Sequence, residues 1–267
     1  MIQNAIISQV RVLGAMLIRE SGFRGPQALA FGFLADIVEP LMIIAVICFF
    51  RWALGSQAKY GTDVLLFVGS GVFPSWLWVR TAIYVAKPVA SERPRFPQET
   101  NFDHVIIAGF LHLINSTIGC VGFFTVLYIM GEKDALPADL WTGIVSMTVI
   151  FLFGLGVGLI NSVIGQFIPV WGGIWAAVAR GLMHFCAIFI VPDYLNPNVR
   201  QLFMYNPVLH GVSWFRHAIY PTYPNVICNH AYILTFMFVT LPLGLLLVQI
   251  LERFDLTKDA EFGEASS

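Results

Sequence analysis

The residues best suited to chemistry lie between Pro192 and Tyr232. That stretch collects Tyr194, Phe203, Tyr205, Trp214, Phe215, Tyr220, Tyr223 and Tyr232, together with His210, Arg216, His217 and His230. Aromatic faces stack on the C–H faces of sugar rings, and their polar tips hydrogen-bond hydroxyl groups. An arginine offers a planar fork to a phosphate or carboxylate. An aromatic belt at a membrane–water boundary explains about half of these side chains equally well. A belt, however, does not require the regular pattern found at Val208–Tyr220. There Val208, Val212, Phe215 and Ile219 form one apolar stripe, and His210, Ser213, His217 and Tyr220 lie on another face. This predicts an amphipathic helix, too short and too polar to span a bilayer, resting in the interface or dipping back between protein walls.

The remaining chemistry is sparse. The sequence holds no G-x-x-x-x-G-K-[ST], and no glycine precedes a lysine, so there is no phosphate-cradling loop of the usual kind. H-E-x-x-H and G-x-S-x-G are also missing. The four cysteines (Cys48, Cys120, Cys186, Cys228) have no metal-binding spacing, and most sit in apolar runs as packing residues. The sequence therefore points to no catalytic residue, no metal and no cofactor held by this chain, and to no enzyme acting by itself. A net charge of -1 argues against binding nucleic acid through bulk charge.

The elements that position these residues belong to a membrane. Of 267 residues, 57% are hydrophobic and only 12% charged, with a mean hydropathy of +0.75. Soluble domains carry about 25% charged residues, and so few cannot clothe a body of this size in water. A spanning helix needs about 20 mostly apolar residues. Five runs qualify: Val64–Ala86, Val105–Met130, Trp141–Ile164, Ile174–Val191 and Ala231–Leu251. Phe33–Leu54 makes a sixth, although Asp36, Glu39 and Pro40 interrupt it. The expected fold is an all-α integral membrane protein of about six spans. It forms a single domain over 1–267: an interfacial helix at 1–25, spans one to five over 33–191, an external segment at 192–230, span six at 231–251 and a tail at 252–267.

One set of loops holds Arg11, Arg19, Arg24, Arg80, Lys87, Arg93, Arg95, Arg253 and Lys258; the other holds Arg51, Lys59, Lys133, Arg200 and Arg216. The richer side is expected to be cytoplasmic, with both termini. Arg180 falls inside the fifth span. No cleavable signal peptide is expected at the start. Instead Ile6, Val10, Leu13 and Leu17 share one stripe, as in a helix lying on the membrane surface. The loop Lys87–Asp103, with Pro88, Pro94 and Pro97 among alternating charges, suits a stiff docking surface or a plain connector. Gly154, Gly156 and Gly158 give span four a small-residue face for close helix contact. Glu39, beside an apolar run, calls either for a protein partner or for a place at headgroup level.

Taken together, the sequence resembles the permease subunits of ABC exporters for bacterial surface polysaccharides, capsular export permeases above all. The likeness is diffuse and covers nearly the whole chain. Arg19-Glu20 and Arg24-Gly25 resemble the basic segment before the first span of that family. Phe31-Gly32-Phe33-Leu34 with Val38-Glu39-Pro40 resembles its L-G-Y-x-W…x-E-P element, with Ala35 and Asp36 departing from the usual tryptophan and small apolar residue. Tyr205-Asn206-Pro207-Val208, His210, Phe215-Arg216 and Tyr220-Pro221-x-Tyr223 resemble the Y-N-P-L…R…F-P-x-Y signature before the last span, and Phe96-Pro97 the F-P of the coupling loop.

The resemblance implies two copies of this chain paired with two copies of a cytoplasmic ABC ATPase that binds ATP and Mg. It also implies an inner-membrane location, and it leaves room for a periplasmic polysaccharide co-polymerase and an outer-membrane exporter. The cargo would be a lipid-linked polysaccharide of capsule type. Residues Tyr205, Asn206, His210, Trp214, Arg216, His217, Tyr220 and Tyr223 would line the external channel mouth, Glu39 would sit near a gate, and Arg93, Arg95 and Phe96 would couple to the ATPase. An exporter of O-antigen, teichoic acid or drugs is the alternative, or a channel or secondary transporter that needs no ATPase.

Overall fold

The computed structural model describes residues 25–55, 60–61, 63–86, 101–224 and 226–265, with side chains over 37–55, 60–61, 63–86, 106–224, 226–251 and 253–254. Every regular element among them is helical. The eight α-helices are α1 (Gly25–Ala53), α2 (Val64–Ala86), α3 (Asn101–Ile129), α4 (Leu140–Phe167), α5 (Trp171–His184), α6 (Pro197–Met204), α7 (Pro207–Ile219) and α8 (His230–Ala265). Single 3-10 turns sit at Lys133–Ala135 and Pro192–Tyr194. The surface stripe around Ile6 and most of the loop Lys87–Asp103, with Arg93, Arg95 and Phe96, lie outside the described residues.

Among the described residues, four stretches are long and apolar enough to cross a bilayer: Val64–Ala86, Ile106–Ile129, Leu140–Phe167 and His230–Leu251. This is the all-α membrane architecture expected from composition. Helix α1 has 29 residues, or about 43 Å at 1.5 Å per residue. It begins earlier than the expected Phe33 and runs straight through Pro40 as one helix. Helix α8 likewise continues past Leu251 to Ala265, where a tail was expected.

One expected span needs correction. Ile174–Val191 is not one helix: α5 is 14 residues long and ends at His184, and the chain then runs without regular structure to Val191. At about 21 Å, α5 alone falls short of the ~30 Å hydrocarbon layer. The break centres on Ala187, whose φ of +62° is a left-handed conformation that non-glycine residues rarely adopt.

Helix α4 is the hub, packed against α2, α8, α7 and α5. Asp139 caps its start, accepting from the Thr142 backbone N–H at 3.1 Å and the Thr142 hydroxyl at 2.6 Å. Those bonds hold the Asp139 carboxyl below its usual range. The glycine face expected in this helix serves two neighbours. A Cβ on Gly154 would come within 3.1 Å of the Trp78 carbonyl, and one on Gly158 within 2.6 Å of Val85 Cβ, so this pair seats α2. Gly156 points to α8, where a Cβ would meet the Leu241 nitrogen at 2.6 Å; Gly244 returns the contact on the Gly156 carbonyl. Apolar packing of this closeness, rather than water exclusion, holds helices together in lipid.

Candidate functional site: the helical hairpin before the last span

Helix α7 is enclosed by protein. It packs on α4, α2 and α8, and ten of its thirteen residues are buried. Of the two resting places left open by the sequence, the one between protein walls is correct. Both stripes are therefore covered: Val208, Val212 and Ile219 lie in the core, and so do His210 and Ser213. Gly211 makes the insertion possible, since a Cβ there would lie 2.6 Å from Ile150 and 2.7 Å from Ile233.

Pro207 opens the helix at a position where a missing N–H is harmless. Asn206 caps it and does a second task. Its Oδ1 accepts from the Val208 N–H at 3.1 Å, while its Nδ2 donates to the Leu182 carbonyl at 3.1 Å and toward Cys186 Sγ at 3.3 Å. One amide thus closes the start of α7 and the end of α5, 24 residues away. His210 is fixed just as fully. Its ring accepts from the Asn229 N–H on Nδ1 at 3.2 Å, and Nε2–H donates to the Met204 carbonyl at 2.9 Å. Burial lowers its pKa and favours this neutral form.

Arg216 is the centre of the arrangement and has no solvent exposure. Nη1 donates to the Ala187 carbonyl at 2.7 Å, the Ile190 carbonyl at 3.4 Å and the Tyr223 hydroxyl at 3.2 Å. Nη2 donates to the carbonyls of Ile188 at 3.0 Å and Phe67 at 3.2 Å, and Nε donates to Ser70 Oγ at 3.3 Å. The guanidinium also lies 4.1 Å from the centroid of the Phe67 ring. Room for it comes from Gly71, where a Cβ would meet Nη2 at 2.6 Å and Ile188 Cα at 3.0 Å. This single side chain gathers the carbonyls of the broken stretch after α5 and pins them to α2. Tyr220 and Tyr223 are buried beside it in a cluster with Tyr60, whose ring lies 5.5 and 5.2 Å from theirs and whose hydroxyl donates to Thr222 Oγ1 at 2.7 Å.

Of the eight residues expected to line a channel mouth, five (Asn206, His210, Arg216, Tyr220, Tyr223) are buried within the chain. Tyr205 is 75% exposed, and Trp214 and His217 are half-buried. Trp214 stacks on His230 at 4.3 Å, and Tyr232 donates its hydroxyl to the Tyr205 carbonyl at 3.1 Å. Of the eight, Tyr205, Trp214 and His217 therefore keep exposed surface, carried on a frame made by the other five. Phe67, Ser70 and Gly71 of α2 complete this frame and were not among the expected site residues, because two of the three meet Arg216 through a backbone carbonyl and a missing side chain.

Glu39 also has its place. It forms an ion pair with Arg80 of α2, and Arg80 lies over the rings of Trp76 and Tyr84 at 5.1 and 5.2 Å. The expected protein partner is therefore present. Among the described residues, no group of three His, Cys, Asp or Glu side chains could hold a metal ion.

Apolar helices packed through glycine faces, four stretches of them long and apolar enough to cross a bilayer, with a buried hairpin of short helices, define an all-α membrane protein. No family model matches the sequence. Curated relatives do match it over most of its length. The capsule polysaccharide export inner-membrane protein CtrC of Neisseria meningitidis serogroup B is 27% identical over 238 residues, 85% of this chain and 88% of the relative. The capsule polysaccharide export inner-membrane protein BexB of Haemophilus influenzae is 26% identical over 222 residues, 82% of each chain. The family resemblance drawn from the sequence is borne out by these relatives.

Proposed function

We propose that the chain is the membrane permease of an exporter that carries a lipid-linked, capsule-type polysaccharide from the cytoplasm to the periplasm. One observation carries this reading: likeness to capsule polysaccharide export inner-membrane proteins of two organisms over more than four-fifths of the chain. The sequence has no phosphate-binding loop, so ATP is hydrolysed by a separate ATPase docked on the loop Lys87–Asp103 of each of two permease copies. Both termini then face the cytoplasm, and the α6–α7 hairpin faces the periplasm.

In this reading Arg216, Asn206 and His210 hold the hairpin, while Tyr205, Trp214 and His217 meet the emerging sugar chain. The Glu39–Arg80 pair latches α1 to α2 where the passage must open and close. Deleting the gene in its own organism tests the assignment. Surface polysaccharide should vanish and accumulate inside the cell, and the intact gene should restore it. Full surface polysaccharide in the deletion strain would overturn the proposal.

A further inference from the structure

Helix α1 packs on α2 and α3, and its last turn reaches further, to the stretch that Arg216 holds. Ile44, Ile47, Cys48 and Arg51 share the stripe that faces protein, whereas Met42, Val46, Phe49, Phe50 and Trp52 are exposed. Arg51 Nη2 donates to the Phe189 carbonyl at 3.5 Å. Its guanidinium lies 6.0 Å from the centroid of the Phe67 ring, on which Arg216 also rests. Together with the three carbonyls held by Arg216, every carbonyl from Ala187 to Ile190 then accepts from an arginine.

Beyond Arg51, Tyr60 closes over the turn that follows α7. Its hydroxyl donates to Thr222 Oγ1, and its ring meets those of Tyr220 and Tyr223 edge-on. Gly61 brings the chain down onto Tyr220: its φ is +72°, and a Cβ there would stand 3.0 Å from the Tyr220 ring. These contacts are few and singly weak. The Arg51 bond is at the outer limit of hydrogen-bond length, and the Tyr60–Thr222 bond is exposed to water. Arg216 makes six bonds in a closed place, so under load the Tyr60 contacts give way first. Tyr220 biases the turn the same way. Its hydroxyl is buried and finds no hydrogen-bond partner among the described residues, a cost that water removes once Tyr60 lifts away.

We propose that Arg51, Tyr60 and Gly61 form a clasp by which α1 holds the turn at 220–223 closed, and that a tilt of α1 releases it. Helix α1 is one unbroken helix, and the Glu39–Arg80 pair ties its middle to α2, about 18 Å before Arg51. A tilt about that pair therefore carries the clasp residues away from the hairpin as one body. Closed, the clasp keeps Tyr220 and Tyr223 covered; open, it uncovers them together. The inference rests on the exporter reading for its purpose, which is to tie the state of the hairpin to the position of the first helix during each transport cycle.

The test uses the full exporter. Tyr60→Phe loses the bond to Thr222 and should be cut by chymotrypsin at 220–223 about fivefold faster, the effect of losing one hydrogen bond. Tyr60→Ala should be cut faster still. A chain carrying both Tyr60→Cys and Thr222→Cys should be bridged by a short, reducible bis-thiol reagent, while the parent with its four native cysteines gives no such product. Bridging should stop export with the ATPase still bound, and reductant should restore it. Bridging should also slow while ATP is turned over, because the clasp is then open for part of each cycle.

Full export by the bridged protein would overturn the inference, since the clasp would then never need to open. Cutting of Tyr60→Ala at the parental rate, or no bridged product, would overturn the contact itself. A lowered thermal midpoint in Tyr60→Phe with bridging indifferent to ATP would reduce Tyr60 to a packing residue. If the deletion strain keeps its surface polysaccharide while bridging still slows under ATP turnover, the export reading fails and the clasp stands.

Discussion

Replacing Arg216 should unlatch the stretch between α5 and α7. In Arg216→Ala the carbonyls of Ala187, Ile188 and Ile190 lose a charged donor in a place closed to water. Each buried, unpaired carbonyl costs about 1–3 kcal/mol, and stripping a buried charge network of its central member typically costs about 3–5 kcal/mol. Some relaxation of the freed carbonyls favours the lower end, so a loss of about 3–4 kcal/mol is expected. Arg216→Lys keeps the charge and loses the planar fork, and should recover only part of this. Gly71→Ala attacks the same latch from the other side by pushing a methyl group against Nη2 and the Ile188 backbone. The assay is limited proteolysis of the detergent-purified chain at 185–196, alongside the thermal midpoint. Both variants should be cut sooner than the parent and lose roughly 6 °C or more. An Arg216→Ala protein with unchanged proteolysis and an unchanged midpoint, yet defective in export, would refute the latch and return Arg216 to direct contact with cargo.

Further expectations follow from other contacts. Glu39→Gln or Arg80→Gln should lower the yield of folded protein, and exchanging the two residues should restore part of it; equal yields for all variants, measured by fluorescence-detected size exclusion, would remove the pair from the structure. His210 has a folded pKa below its ordinary value near 6.5, so its contribution to stability is complete above that value and is lost as pH falls through it. The hairpin should therefore become protease-sensitive as the pH is lowered below about 6.5, and less so in His210→Gln. Cysteine introduced at Ser91 should resist impermeant reagents in intact cells and react in opened ones; labelling from outside would reverse the assigned orientation.

Much of this fold is legible in the sequence because lipid imposes a simple rule of length and apolarity. The runs at Val64, Val105, Trp141 and Ala231 became helices near their expected limits, and the glycines of α4 packed as their spacing indicated. The fifth run misled because Phe185–Val191 is as apolar as a span. Apolarity does not reveal where its backbone carbonyls find donors, and here they find Arg216, 26 to 29 residues on. The same contact explains why Arg216 looked like a free cation: its partners are carbonyl groups, which leave no mark on side-chain composition. His210 and Tyr220 shared its fate, since a polar stripe on a helix means water only when nothing packs on that side. Glu39 was easier, because a carboxylate within an apolar run demands a partner, and Arg80 supplies it.

The central claim is that this chain moves a capsule-type polysaccharide across a membrane, and transport in vesicles tests it most directly. The permease would be reconstituted with its ATPase, oriented with the ATPase outside, and given labelled lipid-linked polysaccharide on that side. The account predicts that ATP drives the polymer into the lumen, where added glycosidase cannot reach it, and that the Trp214→Ala, Tyr205→Ala double variant slows this without loss of assembly or of ATPase binding. Polymer that stays open to glycosidase while ATP is hydrolysed normally, or that enters equally without ATP, would contradict it.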